Sequence, residues 1–349
     1  MSESRNRPSK IFRIALFALT LGLLAYFCLT DNHLLTLLYS FHTLDPYWLL
    51  GAFGCVVLSW MMEGLVTQNL VAASCHGEYG FRHAFKVTMV GQYFNSVSPF
   101  AAAGQPMQVL ALTRQGVASG IALSALVRKF LVYQISITVY SIAVILIKYS
   151  FFRSKFQSFM ALAVVGFLCQ SAVVVLLLLF THSPAFTTRL IHSCVWVLTK
   201  LHIVKNPKQV DEKVKSQLEF YMKNNRAMRG NRRMKGKVYA YTAVQLTAVF
   251  AVPFFIYKAF HSPGAPFVDM VAAQSFVTMI STYTPLPGAA GAAEGSFLVI
   301  FQIFFGQDIL HQAMLLWRFT AYYSCIIVGA FFAGLDRKSG KRSPHGRSS

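Results

Sequence analysis

The chain has 349 residues, 55% hydrophobic and 13% charged, with a formal net charge of +20, and its mean hydropathy is +0.50. A soluble domain carries roughly 25% charged residues, so this balance excludes one and indicates a polytopic α-helical membrane protein. The basic residues flank apolar runs, as the positive-inside rule describes, which argues against nucleic acid as a partner.

The first ten residues form a basic N-terminal segment with Arg5, Arg7 and Lys10. The apolar run from Ile11 to Leu29 follows, without a small-residue cleavage site, and predicts a retained anchor over 11–30. The connection Thr30–Asp45 holds no lysine or arginine, which suits the outside, and a second crossing is expected over 46–66.

The next apolar region, 84–113, is interrupted at Asn95-Ser96-Val97-Ser98-Pro99. From Ala84 to Val97 a helix is about 21 Å long at ~1.5 Å per residue, short of the ~30 Å hydrocarbon core. A re-entrant helical hairpin is expected there. Full crossings follow over 118–147 and 158–181, joined by 148–157, where Lys148, Arg153 and Lys155 oppose the charge rule. The segment 182–237 holds thirteen Lys/Arg against Asp211, Glu212 and Glu219 and is expected in the cytoplasm. Within it, Val210, Val214, Leu218, Tyr221 and Met222 recur at helical spacing. That pattern gives a basic amphipathic helix suited to anionic lipid headgroups, beside the plainer reading of a solvated orienting loop.

A crossing over 238–260 leads to the second interrupted region, 268–306, broken at Thr284-Pro285-Leu286-Pro287-Gly288. A last crossing over 309–334 precedes a basic tail, 336–349, of disordered composition. The expected fold is therefore all-α: six full transmembrane helices plus two re-entrant hairpins, in one domain over 11–335, with both termini cytoplasmic in the plasma membrane. Each hairpin is followed by a helix with a deep arginine, an order that resembles an inverted-topology repeat.

Broken backbone at bilayer depth survives only when buried in protein or lining a wet cavity, and a mid-depth arginine is a functional-site hypothesis by default. In the second hairpin, Pro287 ends the incoming helix, Gly288 and Gly291 open the turn, and the next helix starts with free N–H groups suited to an anion. Glu294, in the first turns of that helix, either complements its dipole or partners an arginine or a cationic headgroup. Arg128 and Arg318 lie too deep to snorkel. Each is expected to pair with a carboxylate, Glu63 or Glu294, or to face a polar cavity where a guanidinium would grip phosphate. Lys129 is expected to reach an interface. In the first hairpin Asn95 and Gln105 are candidate headgroup ligands, and Ser96 and Ser98 are read as satisfying freed backbone groups.

Nothing builds a catalytic centre: the sequence has no G-x-S-x-G, P-loop or H-E-x-x-H, and its histidines are dispersed. The six cysteines show no C-x-x-C pair, so neither metal nor cofactor is expected.

Asn95, Pro99, Gly104 and Pro106, then Arg128, then Pro287-Gly288-x-x-Gly291-x-x-Glu294, then Arg318 together resemble the lysylphosphatidylglycerol synthase/flippase transmembrane family over about 10–335. The resemblance implies a membrane domain that flips aminoacylated phosphatidylglycerol or a related lipid. Family members commonly read Gly-Glu-x-x-Arg in the first hairpin, where this chain has Gly104-Gln105-Pro106-Met107-Gln108. A synthase domain, which would make the chain a phosphatidylglycerol lysyltransferase, is not expected, because only thirteen residues follow Asp336. The leading expectation is a lipid translocase with Asn95, Gln105, Arg128, Gly288, Gly291, Glu294 and Arg318 as its headgroup site. The alternatives are a lipid-modifying enzyme and a non-transporting scaffold for a separate synthase. Homo-oligomerisation stays open.

Overall fold

The structure, a computed structural model, describes residues 44–75, 77–155, 232–282 and 284–339, with scattered positions between 167 and 189. The crossing expected over 11–30, most of that over 158–181, the basic amphipathic stretch ahead of Arg232 and the end of the tail lie outside the described residues.

Helix α1 spans Pro46–Cys75. It starts where proline is tolerated, at the first helical position, and the Asp45 carboxylate accepts the Tyr47 N–H at 2.9 Å. Then come α2, Phe81–Val97, a 3₁₀ turn over Pro99–Ala101, and α3, Gly104–Arg114. Helix α4 runs over Ser119–Lys155 and α5 over Arg232–Ala259. Helix α6, Phe267–Ser281, a 3₁₀ turn over Pro287–Ala289, and α7, Ala292–Phe301, form the second interrupted unit. Helix α8, Gln307–Arg318, passes through a π turn, Phe319–Tyr323, into α9, Ser324–Ser339.

All regular structure among the described residues is helical, and four helices are long and apolar enough to cross a membrane: Pro46–Cys75, Ser119–Ile147, Arg232–Ala259 and Gln307–Gly334. These coincide with four of the six expected crossings. The helices overrun the expected bounds, to Cys75, to Lys155 and back to Arg232. Hydropathy marks the apolar part of a helix, not its end. In α1, for example, Thr67, Asn69 and Ser74 bond back to the carbonyls of Glu63, Leu65 and Leu70, so polar side chains continue the helix without exposing unmet groups.

Helices α1 and α5 pack antiparallel along their length. At one end the Asp45 N–H donates to the Ala259 carbonyl at 3.0 Å. At the other, Val66 and Leu70 share an apolar cluster with Met234 and Val238. This pair fixes where the two interrupted units begin. The base of α2–α3 sits at the Cys75 end, where Tyr79 hydrogen-bonds Gln115 and Leu112 and Val117 join the Leu70 cluster. The base of α6–α7 sits at the Asp45 end, where Phe305 packs against Tyr257 with centroids 5.3 Å apart, within a cluster holding Leu44, Ala259 and Leu310. The arms of each unit pack on one another and the two 3₁₀ tips touch. The hairpins therefore enter from opposite ends of the α1–α5 pair and meet tip to tip.

Candidate functional site

The tips share a backbone solution. Pro99 and Pro287 each open a 3₁₀ turn, followed by Phe100 at φ 53°, ψ 16° and Gly288 at φ 62°, ψ 18°. Ala101 at φ 50° and Ala289 at φ 54° come next. These are left-handed values that L-residues adopt at a cost of about 1–2 kcal/mol each. Proline explains the stop, since it removes a donor. The freed groups are met differently in the two tips.

In the first tip, Asn95 Oδ1 accepts the Gly104 N–H at 3.0 Å and Ser98 Oγ accepts the Ala103 N–H at 3.1 Å. A Cβ on Gly104 would fall 2.0 Å from Asn95 Oδ1, so the bond requires glycine there. In the second tip, Glu294 is the third residue of α7 and its Oε2 accepts the N–H of Gly291 at 2.7 Å, one half of a capping box. Its other oxygen, Oε1, takes Arg318 through Nε at 2.6 Å and a terminal nitrogen at 2.5 Å. Arg318 Nη1 donates to the Gly288 carbonyl at 2.9 Å. The guanidinium also lies 5.5 Å from the Trp317 ring and 5.1 Å from the Tyr322 ring, within cation–π range. Arg318 is 6% exposed. Its charge is thus held by a carboxylate, a carbonyl and two aromatic faces, the satisfaction that a buried ion requires.

A second ion pair stands across the cavity. Glu63, 8% exposed, accepts Lys129 Nζ at 2.6 Å and Gln92 Nε2 at 2.5 Å, and Lys129 also reaches Gln108 Oε1 at 3.5 Å. Helices α1, α2, α3 and α4 each supply one member of this network. Gly91 makes room for it, since a Cβ there would lie 2.0 Å from Gln108 Nε2. The two hairpins are also tied directly: Tyr322, from the π turn, donates its hydroxyl to the Ser96 carbonyl at 2.8 Å. Gly288 sits under that tyrosine, and a Cβ on it would come within 2.3 Å of the ring.

Between these elements lies a cavity of about 890 Å³, within the roughly 300–1,000 Å³ of small-molecule sites. Of the seven residues expected from the sequence to form a headgroup site, Asn95, Gln105, Gly288 and Arg318 line it. Glu294 and Gly291 stand behind Arg318 and hold it in place. Arg128 is buried, 9% exposed, and is not part of the lining. Its neighbour Lys129 lines the cavity instead, which corrects the expectation that this lysine reaches an interface. Adjacent helical residues point about 100° apart, so sequence alone does not say which of the two faces inward. Trp317, Tyr322 and Gln274 were missed because nothing in their local sequence distinguishes them from core residues.

The family model described as lysylphosphatidylglycerol synthase TM region matches residues 11–329. Among curated proteins, a UPF0104 membrane protein of Archaeoglobus fulgidus is 25% identical over 298 residues, covering 81% of this chain and 84% of that protein.

Proposed function

Because this chain belongs to the lysylphosphatidylglycerol synthase transmembrane-region family, a lipid-related family of membrane proteins, we propose that it is a lipid translocase whose headgroup site is the cavity between the two hairpin tips. The observation that carries this reading is the meeting of two helix breaks, entering from opposite ends, over one cavity that holds the cations of Lys129 and Arg318 in its lining. Half-helices that end inside a bundle break the backbone ladder where a membrane has no water, and side chains must then meet the freed groups, as Asn95, Ser98, Glu294 and Arg318 do. Such geometry is tolerated where it lines a passage for polar cargo.

On this reading both hairpins are re-entrant. The Cys75 end carries Arg82, Lys86, Arg114, Arg232, Arg233, Lys235 and Lys237 against Glu78, whereas toward the other end Lys148, Arg153, Lys155 and Lys258 are offset by Asp45, Asp269 and Asp308. That asymmetry supports a cytoplasmic Cys75 end, placing the first hairpin's base inside and the second's outside in the plasma membrane. A headgroup entering from either leaflet would meet Arg318 and Lys129, whose charges are already balanced by Glu294 and Glu63. Lipid phosphate would share Arg318 or Lys129 with its carboxylate through the remaining N–H donors of that cation, and the one negative charge it adds would face the cavity rather than the closed interior. The acyl chains would remain in lipid throughout.

The test is translocation of headgroup-labelled phospholipids in proteoliposomes, for wild type, Arg318→Ala and Glu294→Gln. Both variants are expected to lose at least about tenfold in flux, equivalent to about 1.4 kcal/mol, while remaining monodisperse and helical. Wild-type flux no greater than that of empty liposomes, across anionic, zwitterionic and aminoacylated lipids, would remove the translocase reading.

A further inference from the structure

Seven primary amides line the cavity. Gln92 and Gln108 serve the Glu63–Lys129 pair, and Asn95 holds the first tip. Four more, Gln105, Gln134, Gln245 and Gln274, come from α3, α4, α5 and α6 and line the same space. These positions are spread across the chain, so their convergence is a property of the fold.

Two buried atoms state what is missing. Gln274 is 2% exposed and lines the cavity, yet its Oε1 has no hydrogen-bond partner. Trp317 also lines the cavity, and its Nε1 has none. One is an acceptor and the other a donor, and buried polar groups of either kind are ordinarily satisfied. A ligand that completes both must itself carry donors and acceptors. Phosphate oxygens offer only acceptors. An aminoacyl headgroup adds an ester carbonyl to its ammonium donors, but its positive charge finds no free carboxylate, because Glu63 is engaged by Lys129 at 2.6 Å and Glu294 by Arg318 at 2.5 Å. A hydroxyl both donates and accepts, and a primary amide presents its matching NH₂ and C=O side by side.

We propose that the cavity selects a polyhydroxylated headgroup, such as a glycosyl or inositol ring, in preference to a cationic aminoacyl headgroup. Gln274 accepts from a ring hydroxyl, the other amides bridge its neighbours, and Trp60 and Tyr133 in the lining offer aromatic faces to the ring's C–H surface. The inference rests on the reading of this cavity as a lipid-headgroup site, and it adds the chemical class of the headgroup.

The test uses the full chain, purified in detergent and in phosphatidylcholine vesicles. Three lipids are compared: monoglucosyldiacylglycerol, phosphatidylglycerol and lysylphosphatidylglycerol, with free glucose as a competitor. Binding is read from the shift in unfolding temperature and flux from leaflet exchange. The glucosyl lipid is expected to bind best, and Gln274→Leu to weaken it about fivefold, the scale of one neutral hydrogen bond. If Gln274→Leu does not fold, Gln134→Leu and Gln245→Leu make the same comparison. Preference for lysylphosphatidylglycerol, or equal binding of all three lipids, would overturn the inference. Flux of phosphatidylglycerol or its lysyl ester without flux or binding of the glucosyl lipid overturns it too, and leaves the translocase reading standing. Gln274-dependent binding of the glucosyl lipid with no flux of any lipid supports the inference and removes the translocase reading. Free glucose competing as well as the lipid keeps the hydroxyl chemistry and assigns it to a soluble ligand.

Discussion

Glu63 carries a buried charge that Lys129 and Gln92 share at 2.6 and 2.5 Å. Removing one partner of such a pair leaves the other charged and poorly solvated, at a cost of about 3–5 kcal/mol in closed interiors and less beside a wet cavity. Neutralising both partners is far milder. Glu63→Gln is therefore expected to lower the unfolding temperature in detergent, and Glu63→Gln combined with Lys129→Met to recover most of the loss. A double variant no more stable than the single one would mean that the two residues do not act as a unit. The Arg318–Glu294 pair is built differently, because Glu294 also accepts the Gly291 N–H at 2.7 Å. The two sequence readings of Glu294, as dipole complement and as arginine partner, are both realised, one by each oxygen. Arg318 and Glu294 were legible because deep charge and helix-start carboxylate are rare and local signals. Lys129 and Gln274 were not, because their roles depend on which helix face turns inward.

At the scale of the element, the hairpins stand on two corresponding positions, Phe100 and Gly288, both in the left-handed region. Phe100 is 61% exposed, so its side chain contributes little packing, and its backbone already bears the cost of a Cβ there. Gly288 bears no such cost and lies beneath Tyr322. Phe100→Ala is accordingly expected to change stability by no more than about 0.5 kcal/mol. Gly288→Ala should cost about 1–2 kcal/mol in backbone strain alone. It also pushes Tyr322 from the Ser96 carbonyl, which unties the two tips. Thermal unfolding of the pair of variants checks this, and equal effects at the two sites would contradict it. The existence of both breaks was readable from Pro and Gly. Their contact with each other was not, since it is made by Tyr322, which lies 226 residues from Ser96.

At the scale of the molecule, a long helix leads into a hairpin and then into another long helix, and the order occurs twice. The first members, α1 and α5, are antiparallel, and the hairpins that follow them open from opposite ends. Two copies of one unit placed in a membrane in this way would be inverted relative to each other, with their tips meeting near the middle, as the sequence order of hairpins and deep arginines resembled. The repeat is weak in sequence because the two halves satisfy their tips with different chemistry, an asparagine in one and a glutamate–arginine pair in the other. What they share is backbone conformation, which proline and a left-handed residue can encode in several ways. The arrangement fixes which loops lie on the same side. The exposed Ala118, between α3 and α4, lies at the Cys75 end, and the exposed Gln307, at the start of α8, lies at the Asp45 end. In a background with native cysteines replaced, Gln307→Cys is expected to react with a membrane-impermeant maleimide in intact cells. Ala118→Cys should react only after permeabilisation, because its end carries the lysines and arginines that the positive-inside rule retains in the cytoplasm. Labelling of both from the same side would mean that the α1–α5 axis does not cross the bilayer. Opposite labelling with the sides exchanged would keep the inverted architecture and reverse its orientation.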